Sequence, residues 1–172
     1  MYIQSLSKVV AFPSTLTLSG LSLTASTWYH LYGYLNAGVP AIELVTAAPS
    51  SPYSGTARSK TGDTSRRYVG SLATDSSGNV YKIAHNAYSG YVFYNTNVSD
   101  APFLVVLNGT STTATTVSCA AVVPLTSRSA LFALNNNAAS AVCFFGNSES
   151  PPSSSPISLL SQSGPGVTAV SE

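Results

Sequence analysis

The chain has 172 residues, and only 8% of them are charged, against about 25% in an average soluble domain. The formal net charge of +1 excludes the broad basic surface with which proteins bind nucleic acids. Apolar runs are too short to cross a membrane, and the N-terminus lacks the basic start and apolar core of a signal peptide. We therefore expect neither membrane insertion nor secretion by that route.

Apolar and polar residues alternate with a period of two along most of the chain, as in half-buried β-strands. In WYHLYGYL, Trp28, His30 and Tyr32 share one face of the predicted strand, and Tyr29 and Leu31 share the other. The remaining strand-like runs are, in chain order, YIQSLSKVVAF, TLTLSGLSLT, AIELV, RRYVGSLAT, NVYKIAH, GYVFYN, FLVVL, VSCAAVVPL, ALFAL and AVCFF. Proline, glycine and asparagine separate these runs, and no stretch has a clear amphipathic helix pattern.

Many short strands at regular spacing predict an all-β fold, specifically an antiparallel, jelly-roll-like β-sandwich. We expect one module over residues 1–172, with SDAP at residues 99–102 as a possible internal boundary. The turn sequence DSSG predicts a hairpin between RRYVGSLAT and NVYKIAH. Asp63 and Asp75 lie in turn sequences, where a carboxylate commonly accepts hydrogen bonds from nearby backbone N–H groups.

The segment from residue 55 to residue 79 contains four of the seven basic residues of the chain: Arg58, Lys60, Arg66 and Arg67. Arg66 and Arg67 are adjacent in a predicted strand, so their side chains face opposite sides. We expect Arg66 to point inward and to form a structural clamp with Asp63, another carboxylate or backbone carbonyls. Arg67, Arg58 and Lys60 are then candidates for binding an anionic sugar or a phosphate on a glycan.

A tyrosine-rich segment, AYSGYVFYN, is the second candidate binding region, with Tyr88, Tyr91 and Tyr94 near Ser, Gly and Asn turns. The apolar ring and polar tip of tyrosine suit sugar stacking, protein interfaces and the rim of a half-buried strand. We interpret these three tyrosines as candidate receptor-binding residues.

The sequence contains no convincing catalytic set, and we expect a protein that is not an enzyme and needs no cofactor or metal. SLSK, KTG and SGN match parts of the penicillin-recognising signature, but their order along the chain is wrong. The sequence contains two histidines, His30 and His85, but it lacks the GxSxG nucleophile elbow of a serine hydrolase. Cys119 and Cys143 are wrongly spaced for zinc and are expected to be small buried hydrophobic residues. Two of the six acidic residues could still meet and cleave a glycan.

Several longer strings stand out between residues 27 and 86: AGVPAIEL, the turn region AP..PY.GTARSKTGD, TSRRYVGS and TDSSGN. They resemble a segment of the tail fibre and tailspike proteins of tailed bacteriophages. VLNGTSTTATTVS, VVPLTSR and LFALNNN are similar in style to the region that comes after that segment in such proteins. The resemblance implies a homotrimeric distal module of the virion tail fibre, made in the host cytoplasm. Its partners would be other tail proteins and lipopolysaccharide, capsule or a protein on the bacterial surface.

Low charge with many hydroxyl groups is typical of a chain that is covered by its own copies or carried on a larger particle. We therefore interpret the chain as a non-enzymatic tail fibre or receptor-binding tip module. One alternative is a structural virion component without receptor binding, such as a capsid fibre, decoration or baseplate protein. Another is a fragment of a glycan depolymerase.

Overall fold

A computed structural model describes residues 1–13, 15–85, 92–96, 102–113, 115–136, 143–144, 158–160 and 164–171. Regular structure in these ranges consists of β-strands and one 3₁₀ turn at Gln4–Leu6, and the paired strands run antiparallel. The predicted all-β class is therefore confirmed. The chain divides into two compact units, Met1–Phe103 and Leu104–Glu172. The predicted boundary at residues 99–102 falls almost wholly outside the described residues.

The first unit is built around a four-stranded sheet in the order β4-β3-β6-β5, accompanied by the pairs β1–β2 and β7–β8. Its strands are β1 (Tyr2–Ile3), β2 (Lys8–Val9), β3 (Trp28–Asn36), β4 (Val39–Val45), β5 (Ser59–Lys60), β6 (Asp63–Ala73), β7 (Ile83–His85) and β8 (Val92–Tyr94). The second unit pairs β9 with β12 and β10 with β11. These strands are β9 (Ser129–Asn136), β10 (Cys143–Phe144), β11 (Ser158–Leu160) and β12 (Gly164–Ser171).

Strand β3 is the centre of the first unit, because it pairs with β4 on one side and β6 on the other. Its Tyr32 is fully buried, packs edge-on against the Tyr68 ring at 5.9 Å and donates a 2.7 Å hydrogen bond to the Ala47 carbonyl. Burial raises the pKa of Tyr32 to about 12. The opposite face of β3 is covered as well, since a Cβ at Gly33 would collide with Met1 and crowd Phe12.

The pairing of β3 with its neighbours fixes which side chains share a face of the sheet. Ala37 and Gly38 connect β3 to β4 with φ angles of 48° and 86°, as a type I′ turn requires. The resulting register places Glu43 opposite Tyr32. On the other side, a bulge places Val69 as an extra residue in β6, where the register shifts between Leu31 and Tyr32.

Several predicted strands are wrong in detail. YIQSLSKVVAF forms β1, the 3₁₀ turn and β2, because Ser7 adopts a φ of 50° that reverses the chain. TLTLSGLSLT and FLVVL form no strand over their described residues, since they have no partner strand there. VSCAAVVPL turns instead, with the N–H groups of Val122 and Val123 both donating to the Cys119 carbonyl.

The two cysteines were expected to be small buried residues. Cys119 is a free thiol that is half-buried, and its partial burial raises the pKa of the thiol. The side chain of Cys143 lies outside the described part of the structure.

The DSSG turn forms, but the predicted hairpin is short. Asp75 Oδ1 accepts hydrogen bonds from the N–H groups of Ser77 and Asn79 at 2.8 and 2.9 Å, as the turn sequence predicts. These bonds lower the pKa of the Asp75 carboxyl. Beyond the turn, a single bridge joins Thr74 to Val80, and β7 then pairs with β8 and not with β6.

We expect Gly78→Ala to destabilise the first unit more than Gly38→Ala. Both glycines have left-handed φ angles, 82° and 86°, but an added Cβ at Gly78 would lie 2.5 Å from the Leu23 carbonyl oxygen, whereas Gly38 faces open space. Each change costs about 1 kcal/mol for the backbone, and the collision adds roughly 1–3 kcal/mol at Gly78. Urea unfolding followed by the fluorescence of Trp28, the single tryptophan, measures both. Equal losses would contradict the close approach of the turn to Leu23.

Candidate ligand-binding site

Arg66 and Arg67 lie next to each other in β6, and their contacts lie on opposite faces of the sheet. Arg66 is stacked on Tyr34 of β3, with its guanidinium carbon 3.9 Å from the ring centroid. Arg67 contacts Tyr53, which lies in the loop between β4 and β5. The alternation of a β-strand thus sends two neighbouring cations into two different environments.

On the Arg66 face, four charged side chains form a cluster that we call the clamp: Glu43, Lys60, Asp63 and Arg66. Glu43 Oε1 lies 2.9 Å from Lys60 Nζ and 3.4 Å from Arg66 Nε. Arg66 Nη1 lies 3.8 Å from Asp63 Oδ2. The side chains of Glu43, Lys60 and Arg66 are 22–25% exposed, so the cluster is partly shielded from water. Two cations and two carboxylates leave the clamp with no formal net charge.

The hydroxyl group of Ser65 completes the clamp. Asp63 Oδ1 accepts hydrogen bonds from the Ser65 N–H at 2.9 Å and the Ser65 hydroxyl at 2.6 Å, and these bonds lower the pKa of the Asp63 carboxyl. Arg66 Nη1 donates to the Ser65 hydroxyl oxygen at 2.7 Å. Arg66 Nε is buried without an aligned hydrogen bond, so its contact with Glu43 is an ion pair only.

Glu43 was missed as a clamp residue by the sequence analysis. It lies in β4, separated from Lys60 by 17 positions, and reaches the clamp only because β3 and β4 pair in the observed register. The one available signal was its position in AIELV, where a single carboxylate interrupts an apolar strand. A buried carboxylate requires a partner, and this requirement could have pointed to the basic segment.

On the Arg67 face, two tyrosines and one arginine form what we call the tyrosine–arginine platform: Tyr2, Tyr53 and Arg67. Arg67 Nη1 donates a 2.9 Å hydrogen bond to the Tyr53 hydroxyl, and its guanidinium carbon lies 5.7 Å from the Tyr53 ring centroid. The Tyr2 ring centroid is 6.3 Å from that of Tyr53, at an interplanar angle of 41°. Tyr2 is 41% exposed. The platform joins a half-buried cation to one half-buried ring, Tyr53, and one exposed ring, Tyr2.

The other candidate binding residues are distributed over different places. Arg58 Nη1 donates to the Ser50 carbonyl at 2.9 Å, and Lys60 belongs to the clamp. Tyr94 packs against Tyr81 and Phe103, with ring centroids 5.9 and 4.7 Å away. Burial raises the pKa of Tyr94 to about 12. Tyr88 and Tyr91 lie outside the described residues.

A chain of hydrogen bonds connects three side chains near the centre of the sheet. His30 Nδ1 lies 2.8 Å from Ser71 Oγ, which is 2.7 Å from the Tyr68 hydroxyl. His30 is buried, and desolvation lowers the pKa of its imidazole. A catalytic serine triad also requires a carboxylate that orients the histidine. Over the described ranges, no carboxylate pairs with His30, so the arrangement is a polar chain, buried at His30, that links β3 to β6.

Neither a metal site nor a membrane-spanning helix is found in the described residues. No group of three or more His, Cys, Asp or Glu side chains there is arranged to hold a metal ion. That part of the chain also contains no helix of the length and apolarity needed to cross a bilayer. Comparison with protein-family models, curated proteins and solved structures found no match for this chain.

We expect Glu43→Gln to destabilise the first unit by about 1–2 kcal/mol, because it removes the shared partner of Lys60 and Arg66 in a partly buried setting. Arg67→Gln is the matched control: it removes a cation from the same strand but from the face without a carboxylate partner in the described structure. Urea unfolding at low and high salt measures both changes. A loss for Glu43→Gln below about 0.3 kcal/mol would contradict a stabilising clamp.

We expect the stability of the first unit to decrease as the pH falls below about 6.5, because the folded state lowers the pKa of His30 from its usual 6.5. The unfolded chain then binds a proton that the folded chain does not, which lowers stability by at most about 1.4 kcal/mol per pH unit. The loss ends once the pH passes below the pKa of His30 in the folded state. Unfolding curves of the wild type and His30→Asn between pH 7.5 and 5 measure this slope. Identical slopes would show that His30 does not cause it.

Proposed function

We propose that the chain is a non-enzymatic attachment module of a bacteriophage tail fibre, which binds a glycan or a protein on the bacterial surface. The observation that carries the proposal is the tyrosine–arginine platform. Aromatic rings and an arginine at a surface are the residue types that dominate recognition sites. The strings within residues 27–86 that resemble tail fibre proteins include Tyr53 and Arg67 of this platform.

The position of the platform on a sheet supports a binding role. Arg67 lies in the middle of β6, which pairs with β3 along one edge and with β5 along the other. Side chains on paired strands are held more precisely than side chains on loops, and such precision reduces the entropy lost on binding. Tyr2 lies in β1, which pairs with β2. Two of the three platform residues are therefore placed by regular structure.

We further propose that the chain assembles as a homotrimer and that its sheets form a jelly-roll-like sandwich. The exposed apolar side chains of each unit support assembly: Val9 is 75% exposed and Val39 65% in the first unit, and Leu107 is 71% exposed and Leu125 89% in the second. Single exposed apolar residues are normal on monomers. Here they occur in a chain in which only 8% of the residues are charged. Little electrostatic repulsion therefore opposes the association of copies.

The same exposed apolar side chains also favour a second candidate function, that of a structural component of the virion that does not bind a receptor. Such a protein would need surfaces for its own copies and for neighbouring virion proteins. It would not need the platform to be accessible after assembly. The two functions therefore differ in whether the isolated assembly binds cells.

We expect fluorescently labelled protein to bind a subset of bacterial strains saturably and to have a mass of three chains of 17.7 kDa by light scattering in the same buffer. Binding should be lost when surface polysaccharide is stripped, if the receptor is a glycan. A well-folded trimer that binds no strain would support the structural role. A monomer at micromolar concentration would show that the trimer is wrong. Release of reducing ends from purified polysaccharide would contradict a non-enzymatic role.

A further inference from the structure

Arg67 has no carboxylate partner in the described part of the chain, where the three carboxylates are engaged elsewhere. Glu43 pairs with Lys60 and Arg66, and Asp63 is bound by Ser65 and also faces Arg66. The Asp75 carboxylate accepts the N–H groups of its own turn. No carboxylate among the described residues therefore compensates the positive charge of Arg67 on its face of the sheet.

The guanidinium of Arg67 also keeps donors available. One Nη1 donor is used by the Tyr53 hydroxyl, and the other N–H groups of the fork have no partner among the described residues. Among the described side chains, the only buried nitrogen or oxygen atom without a hydrogen bond is Arg66 Nε. Arg67 Nε and Nη2 are therefore not fully buried, although the side chain as a whole is half-buried. Arg67 is thus a half-buried, oriented fork that pairs with no anion among the described residues.

The rings of Tyr2 and Tyr53 lie beside this fork and define the rest of the site. Their centroids are 6.3 Å apart and tilted by 41°, and Tyr2 presents 41% of its surface to solvent. Tyr53 is half-buried. Tilted tyrosine rings offer an apolar face to the C–H groups of a sugar and hydroxyl groups to its polar edge. A ligand that satisfies all three residues has a ring and a negative charge.

We propose that Tyr2, Tyr53 and Arg67 form a binding site for a sugar that carries a carboxylate, such as a hexuronic acid. Its carboxylate would accept two parallel hydrogen bonds from the Arg67 fork, and its ring would stack on the tyrosines. This inference rests on the proposed attachment function and names its ligand class. Arg67 is the one cation among the three platform residues, and its fork matches the two oxygens of a carboxylate. A phosphate monoester carries about −1.5 to −2 and would need further cations.

Other cations near the platform are bound elsewhere. The Met1 ammonium group, next to Tyr2 in the chain, donates to the Val10 carbonyl. Lys60 and Arg66 are neutralised in the clamp, whose contacts lie on the opposite face of β6. Arg58 is bound to the Ser50 carbonyl. A second strong anion contact at the platform is therefore not provided by the basic segment from residue 55 to residue 79.

The test is saturation-transfer NMR of the full chain with sodium glucuronate, with glucose as the uncharged matched sugar. We expect saturation of glucuronate but not of glucose. Arg67→Lys should weaken glucuronate binding at least about tenfold, because lysine keeps the charge but loses the fork. Tyr2→Ala should have a similar effect. The controls are Arg58→Lys, which changes another arginine, and Leu6→Ala, which changes another exposed side chain near the N-terminus. Neither control should change glucuronate binding.

Tyr53→Phe provides a second variant that leaves the ring in place and removes only the hydroxyl that orients Arg67. We expect it to weaken glucuronate binding less than Arg67→Lys does, with unchanged far-ultraviolet circular dichroism. Equal saturation of glucose and glucuronate would overturn the proposal, as would full binding by Arg67→Lys. Inorganic phosphate that displaces glucuronate at equal concentration would also overturn it, since the site would then be a general anion site.

Cell binding separates a failure of this site from a failure of the proposed function. If the wild type binds bacteria and Arg67→Lys and Tyr2→Ala bind them equally well, the attachment function holds and this site is wrong. If glucuronate binds as expected but the protein binds no strain, the site holds and the attachment function is wrong.

Discussion

The structure of the first unit depends on the burial of β3 on both of its faces. One face carries Tyr32, which is fully buried under a ring contact with Tyr68, and the other carries Gly33, against which Met1 and Phe12 are packed. A strand in this position must be paired along both edges, since unpaired backbone groups would be buried without partners. This requirement explains why β4 and β6, which are far apart in sequence, lie on either side of it. The positions of the clamp and the platform depend on these two pairings.

The alternation of side chains in β6 then separates two arginines that are adjacent in sequence. Arg66 shares its face with Tyr34 and Glu43, where shielding from water makes an unpaired charge costly. Arg67 lies on the other face, where it is half-buried and donates a hydrogen bond to the Tyr53 hydroxyl. The same residue type thus stabilises the sheet at one position and remains available to a ligand at the next. The bulge at Val69 comes after both arginines and does not disturb this separation.

Sequence reasoning succeeded where the determinant is local and failed where it depends on long-range pairing. The strands β3, β4 and β6, the turn at Asp75 and the opposite orientations of Arg66 and Arg67 are dictated by alternation and turn chemistry within a few residues. Glu43, Tyr53 and Tyr2 reach the basic segment only through strand register and loop packing, which a single sequence does not specify. VSCAAVVPL alternates like a strand, yet it forms a turn in which the Cys119 carbonyl accepts two backbone hydrogen bonds. Alternation indicates which side chains avoid water, but it does not show that a partner strand exists.

The contact between Arg67 and Tyr53 gives the platform a property that a mobile surface arginine lacks. An arginine side chain loses about 2 kcal/mol of rotamer entropy when it becomes fixed, and a ligand normally bears that cost. Here the hydrogen bond to the Tyr53 hydroxyl and the proximity of the ring already restrict the guanidinium in the unliganded sheet. This loss of rotamer entropy therefore occurs during folding and not during ligand binding. The sheet that holds Arg67 is stabilised mainly by the burial of β3. The packing at the centre of the sheet thus helps to hold the Arg67 guanidinium in one orientation.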